Sequence, residues 1–125
     1  MMEMDDKVFF GSNSTLPGYS SIDKAEAEKL RDVLLNKYPE LVKNNIGQTP
    51  LDGLYHAETN VLLRAARENR GSLAGRRLEV VTDRRMCNSC PTVLPKVGME
   101  LGNPTVTFIG PGGETRTMRD GRWLD

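Results

Sequence analysis

Scarcity marks this chain. It holds one histidine, two cysteines and one tryptophan, and its aromatic share is only 6%. Two cysteines separated by two residues are a poor framework for an extracellular fold, and they suit a reducing compartment better. No apolar run approaches the roughly 18 residues that a membrane span needs, so no membrane partner is expected. The opening Met1-Met2-Glu3-Met4-Asp5-Asp6 is acidic with no apolar stretch, which excludes a secretory leader at that place. Net charge is lacking too: 17 basic side chains balance 17 acidic ones, which argues against a uniformly basic nucleic-acid binder. Internal repeats and low-complexity tracts are absent.

What remains is the composition of an ordinary globule, 38% apolar and 27% charged over 125 residues. That length predicts one domain, residues 1–125, burying about two thirds of its unfolded surface. The balanced charge conceals an asymmetry. Residues 1–60 carry 6 Lys/Arg against 10 Asp/Glu, and residues 61–125 carry 11 against 7, with ten of those eleven being Arg. Arginine suits phosphate and base contacts, although it is equally at home on a solvated face.

Hydrophobic periodicity predicts alternating strands and helices. Lys7-Val8-Phe9-Phe10 reads as a strand ended by the loop Gly11-Ser12-Asn13-Ser14. A strand so near the first residue suggests a domain cut from something longer, or an abrupt sheet edge. Asp23-Lys24-Ala25-Glu26 has the spacing of a capping box, and Ala27, Leu30, Val33, Leu34 and Tyr38 continue at helical steps up to Pro39. Residues 39–55 read as a long connection. A helix follows from His56, with Val61, Leu62, Ala65 and Ala66 as its apolar face and Gly71 as its stop. Arg77–Thr82 reads as a strand, Asn88 to about Leu101 as a helix with Pro95 placed awkwardly inside it, and Thr105–Ile109 as a strand. Gly110-Pro111-Gly112-Gly113 then turns the chain into Glu114–Met118, an antiparallel hairpin.

The scarce residues fall together. His56-Ala57-Glu58 is answered by Cys87-Asn88-Ser89-Cys90, and these two pieces hold every imidazole and thiol of the chain. Zinc takes both donor types, and three protein ligands would leave a fourth position open to water. Both pieces fall at helix starts, where partial positive charge favours thiolates. Glu58 is placed to exchange protons with such a water, although two residues is a poor spacing for sharing a regular helix face. Other readings of the same residues are a packed histidine, a redox dithiol, or a structural zinc closed by a carboxylate. Phe9, Phe10, Tyr55 and Trp123 are candidates either for base stacking or for rim packing.

The H-x-E…C-x-x-C pattern of His56, Glu58, Cys87 and Cys90 resembles that of the zinc-dependent cytidine deaminase superfamily. The order of helix, His-x-Glu helix, strand, Cys-x-x-Cys helix and two strands is similar over roughly residues 23–119. The closing hairpin, the small size and the lead-in Gly53-Leu54-Tyr55-His56 resemble the deaminase domains of bacterial polymorphic toxins. Departures are Met86, where many members have proline, and the lack of a predicted hairpin between the first two helices.

The resemblance implies an α/β, three-layer fold with a mixed sheet flanked by helices. It further implies Zn2+ held by His56, Cys87 and Cys90, Glu58 as proton shuttle, and hydrolysis of cytosine to uracil in DNA, single-stranded DNA being the expected partner. Double-stranded DNA, RNA, free cytidine or adenine are alternative substrates, and a non-catalytic zinc-stabilised module is the alternative outside enzymes. Tyr55, Ala57, Arg84, Arg85, Asn88 and Ser89 are candidate substrate contacts. An immunity protein and delivery into the cytoplasm of a target cell are implied partners and location.

Overall fold

The computed structural model describes residues 1–39, 52–83 and 90–124. It is an α/β arrangement of one mixed six-stranded sheet and three helices. The sheet opens with β1 (Met2–Met4) and β2 (Lys7–Phe9) and continues through β3 (Arg77–Val81), β4 (Thr105–Ile109), β5 (Thr115–Arg119) and β6 (Arg122–Trp123). The helices are α1 (Ser21–Lys37), α2 (Ala57–Glu68) and α3 (Cys90–Glu100), with a 3-10 turn (Asp52–Tyr55) leading into α2.

Strands run in the order β2-β1-β3-β4-β5-β6. Only β3 and β4 are parallel, in the register Arg77↔Thr105 to Val81↔Ile109. The expected closing hairpin is present, with Val106 opposite Met118 and Ile109 opposite Thr115. A hairpin at the other end is new. Residues 1–6 carry no strand signal, yet Met2–Met4 pairs with Lys7–Phe9 and also with β3 through Met2↔Val80. Its turn residues, Asp5 and Asp6, have φ of 52° and 64°, the left-handed pair of a two-residue hairpin whose twist matches the strands. Arg76 grips the Asp5 carboxylate with both terminal nitrogens, at 2.6 and 2.7 Å.

Alternation along the strands decides which face is covered. Met2, Met4, Leu78, Val80, Val106, Phe108 and Met118 are buried, while Glu3, Arg77, Glu79 and Val81 are exposed. The buried set joins Leu30 and Leu34 of α1, Val61 and Leu62 of α2, and Val93, Leu94 and Val97 of α3 in one core. A fully buried Leu or Val contributes roughly 1.5–3 kcal/mol, so this face drives the fold. Among the described residues the buried side chains of the strands all belong to this one face, and α1 packs mainly on α2 and the 3-10 turn. The opposite face carries Arg77, Glu79, Thr105, Thr107 and Thr117 with only Val81 and Ile109 among them, which gives a helix little apolar area to bury.

Two helix boundaries differ from expectation for identifiable reasons. The capping box of α1 is Ser20 with Asp23, one turn earlier than the Asp23–Glu26 spacing predicted. Asp23 is 1% exposed and serves as a charge anchor as well as a cap. Helix α3 continues through Pro95. Proline has no N–H, so the carbonyl four residues back, on Pro91, loses its helical donor. The indole Nε1 of Trp123 donates to that carbonyl at 2.7 Å. The chain's one tryptophan thus repairs the ladder that Pro95 interrupts.

Candidate active site

His56 is the N-cap of α2, extended at φ −98° and ψ 165°, and its carbonyl accepts the first helical bond from Asn60 N at 3.0 Å. Its side chain does not cap its own helix. Glu58 already lies in the first helical turn. The awkward two-residue spacing is therefore not a helical spacing: one residue precedes the helix and the other belongs to it.

This helix start is held by a loop from far upstream. Asn13 Oδ1 accepts from Ala57 N at 2.8 Å, satisfying one of the donors that every helix leaves unpaired at its beginning. Ser12 N donates to Asn60 Oδ1 at 2.8 Å, and Ser14 N donates to the Tyr55 carbonyl at 2.9 Å. Gly11 lies so close that a Cβ there would stand 2.1 Å from the Ala57 carbonyl oxygen. The loop that sequence reading passes over is thus the clamp of the His-x-Glu segment. No local signal marks it, because Asn13 and Ala57 are 44 positions apart.

A second brace holds the far side of the same loop. Arg64 donates to the carbonyls of Phe10 and Gly18, at 2.8 and 2.7 Å, and to both oxygens of Asp23, at 3.1 and 2.6 Å. Arg67 adds a 3.0 Å bond to Asp23 and a short contact with Glu26. The hydrogen bonds from Arg64 hold the Asp23 carboxyl well below the usual carboxylate range, with Ser20 adding to the effect against the opposing pull of burial. The cluster ties α1, α2 and the loop into one unit.

A cavity of about 70 Å³ opens beside Glu58. Gly11, Ala57, Glu58 and Val61 line it from the helix side, and Val80, Val81, Thr82 and Asp83 from the end of β3. It has room for a few water molecules. It also lies at the carboxyl end of the parallel strands, where open α/β sheets place their ligands. Asp83, in its wall, is separated from the Cys-x-x-Cys segment by three residues of sequence, and α3 begins at Cys90.

The predicted residues fall as follows. Glu58 and Ala57 line the cavity, but the Ala57 N–H expected at a pocket floor is engaged by Asn13. Tyr55 packs against the core and its hydroxyl accepts from Arg31 at 3.1 Å, turned toward α1. Arg84, Arg85, Cys87, Asn88 and Ser89 lie outside the described residues, as does the side chain of Cys90. Among the described residues no three His, Cys, Asp or Glu side chains converge on a metal position. Only His56 of the expected zinc donors has a described side chain, and it immediately precedes the helix whose Glu58 lines the cavity. Among the described residues no helix is long and apolar enough to cross a membrane. No family model matches the chain, and no curated protein or solved structure is significantly similar to it.

Proposed function

We propose that this chain is a zinc-dependent deaminase that converts cytosine to uracil in DNA, with single strands as its substrate, in the manner of toxin-borne deaminase domains. One observation carries the reading. The start of the His-x-Glu helix and the end of the strand leading into Cys87-Asn88-Ser89-Cys90 share one cavity, with Glu58 in its wall. His56, Cys87 and Cys90 would hold the metal, in a cytidine-deaminase-like fold. Bound zinc supplies a water acidic enough to be deprotonated near neutral pH.

The chain's own residues then have separable tasks. Glu58 accepts a proton from the attacking water and delivers it to the amine leaving C4, so that water is consumed and ammonia released. Asn13 and Gly11 fix the helix start that presents Glu58, and Thr82 and Asp83 form the facing wall. An unpaired base reaches such a cavity more readily than a stacked one, which favours single strands. Delivery to a target cell and an immunity partner belong to the same proposal.

The test offers purified protein single-stranded DNA, duplex DNA, RNA and free cytidine, measuring uracil or uridine formed. Glu58→Gln is expected to lower turnover by about 10²–10⁴-fold, with bound zinc and melting temperature retained. Undiminished turnover in that variant sinks the assignment of Glu58. No product from any substrate with the zinc-loaded wild type leaves the non-catalytic module standing instead.

A further inference from the structure

The arginines of the described residues are not all committed to carboxylates, Arg70, Arg77 and Arg122 being in none of the ion pairs among those residues. Arg64, Arg67 and Arg76 are spent on Asp23, Glu26 and Asp5. Arg116 takes part in none of the ion pairs among the described residues. It lies instead over the ring of Trp123, its guanidinium carbon 4.2 Å from the ring centroid. It is half-buried, so this is not a side chain waving in solvent.

The platform under it is rigid. Trp123 is fixed by its Nε1 bond to Pro91 and by an edge-to-face contact with Phe108 at 6.0 Å. A guanidinium resting on an aromatic face keeps its N–H edge available while losing little freedom on binding.

Its place is equally specific. Val80, Phe108 and Arg116 are register partners across β3, β4 and β5, so their side chains share the helix-covered face. Val80 lines the Glu58 cavity. Two strand spacings separate it from Arg116, roughly 10 Å. Trp123 meanwhile contacts Pro91, the residue after Cys90. Arg116 therefore stands beside the beginning of α3, at the carboxyl end of the parallel strands, within reach of the backbone that flanks an inserted base.

We propose that Arg116, held flat on Trp123, binds a phosphate of the nucleotide next to the target base in a single-stranded nucleic acid. This rests on the deaminase reading. It gives that reading a strand-binding contact beyond the cavity, one that a free nucleoside could not use.

The test measures binding of a fluorescent single-stranded oligonucleotide across a salt series, in the Glu58→Gln background so that no turnover intervenes. Arg116→Met keeps a side chain packed on the indole and removes the donors. It is expected to weaken binding about tenfold and to flatten the salt slope by about 0.7, the value of one phosphate contact on a single strand. Arg116→Lys keeps the charge and should restore the slope with only part of the affinity. Melting temperature controls for folding, and Arg116→Lys carries the test if Arg116→Met is unstable. An affinity and slope unchanged by Arg116→Met in that background, while the protein with Glu58 intact deaminates DNA, overturn this proposal alone. Equal weakening toward poly-glutamate also overturns it, marking a general anion patch. A wild type that neither deaminates nor binds single strands removes both readings.

Discussion

Replacing Asp23 by Asn should be among the costliest polar substitutions in the described fold. The side chain is 1% exposed and accepts five hydrogen bonds: two from Arg64, one from Arg67, and two from Ser20 through its N–H and hydroxyl. The Ser20 hydroxyl also accepts from Asp23 N, closing the box. Asparagine conserves the volume, removes the charge, and turns an NH2 group toward two guanidinium groups. Removing one partner of a buried pair costs about 3–5 kcal/mol. The arginine side chains are 24% and 37% exposed, and Arg67 keeps Glu26, so both recover solvation. That discount leaves about 2–3 kcal/mol, or a fall of about 10 °C in melting temperature for a chain of this size.

The pH dependence follows from the same bonds. A carboxyl depressed in the folded state contributes fully above its unfolded pKa of about 3.9 and loses that contribution as the pH falls further. Wild-type stability should therefore decline below about pH 4, and Asp23→Asn should flatten that acid limb. Urea denaturation from pH 7 to pH 2.5 measures both quantities, with an unchanged m-value as the check on two-state unfolding. A loss at pH 7 smaller than about 0.5 kcal/mol would refute the account of the cluster, as would an unaltered acid limb.

Two further substitutions probe the loop that clamps α2. Gly11→Ala drives a methyl into the Ala57 backbone, so the loop must move; about 1–3 kcal/mol of stability should be lost, and with it much of the zinc that the proposed function requires, read by denaturation and metal content. Asn13→Ala removes the cap on Ala57 and should cost about 1 kcal/mol, while Asn13→Asp should retain that stability because a helix start favours negative charge; denaturation midpoints decide between them.

Legibility in the sequence tracked the range of the interaction. Strands β3, β4 and β5 announce themselves because β-branched residues alternate locally, and Gly110–Gly113 turns the chain between two of them. Helix α2 is visible for the same reason, its apolar residues recurring every three or four positions. The strand Met2–Met4 is not visible, because three residues are too few for a period and its partner β3 lies most of the chain away. The Asp23–Glu26 spacing misleads because Ser20 and Asp23 offer the same geometry one turn earlier, and distant Arg64 and Arg67 decide between them. Pro95 reads as a helix breaker until Trp123 is brought to the carbonyl it vacates. At the site, residue types were legible and their support was not: His56 and Glu58 stand out by rarity and spacing, whereas Gly11 and Asn13 look like any loop.

The clamp also orders events in time. The terminal amine of Met1 donates to the Val81 carbonyl at 2.7 Å, and the hairpin that follows delivers Gly11–Ser14 onto the start of α2. These closures join residues 44 to 80 positions apart, and contacts of such separation form late because they must offset the entropy of large loops. A folding chain would therefore pack its C-terminal strands and helices before the N-terminal hairpin docks, and only then would Glu58 acquire a fixed position. Competence at this site is expected to be the last property gained on folding, and the first surrendered when the N-terminal hairpin detaches.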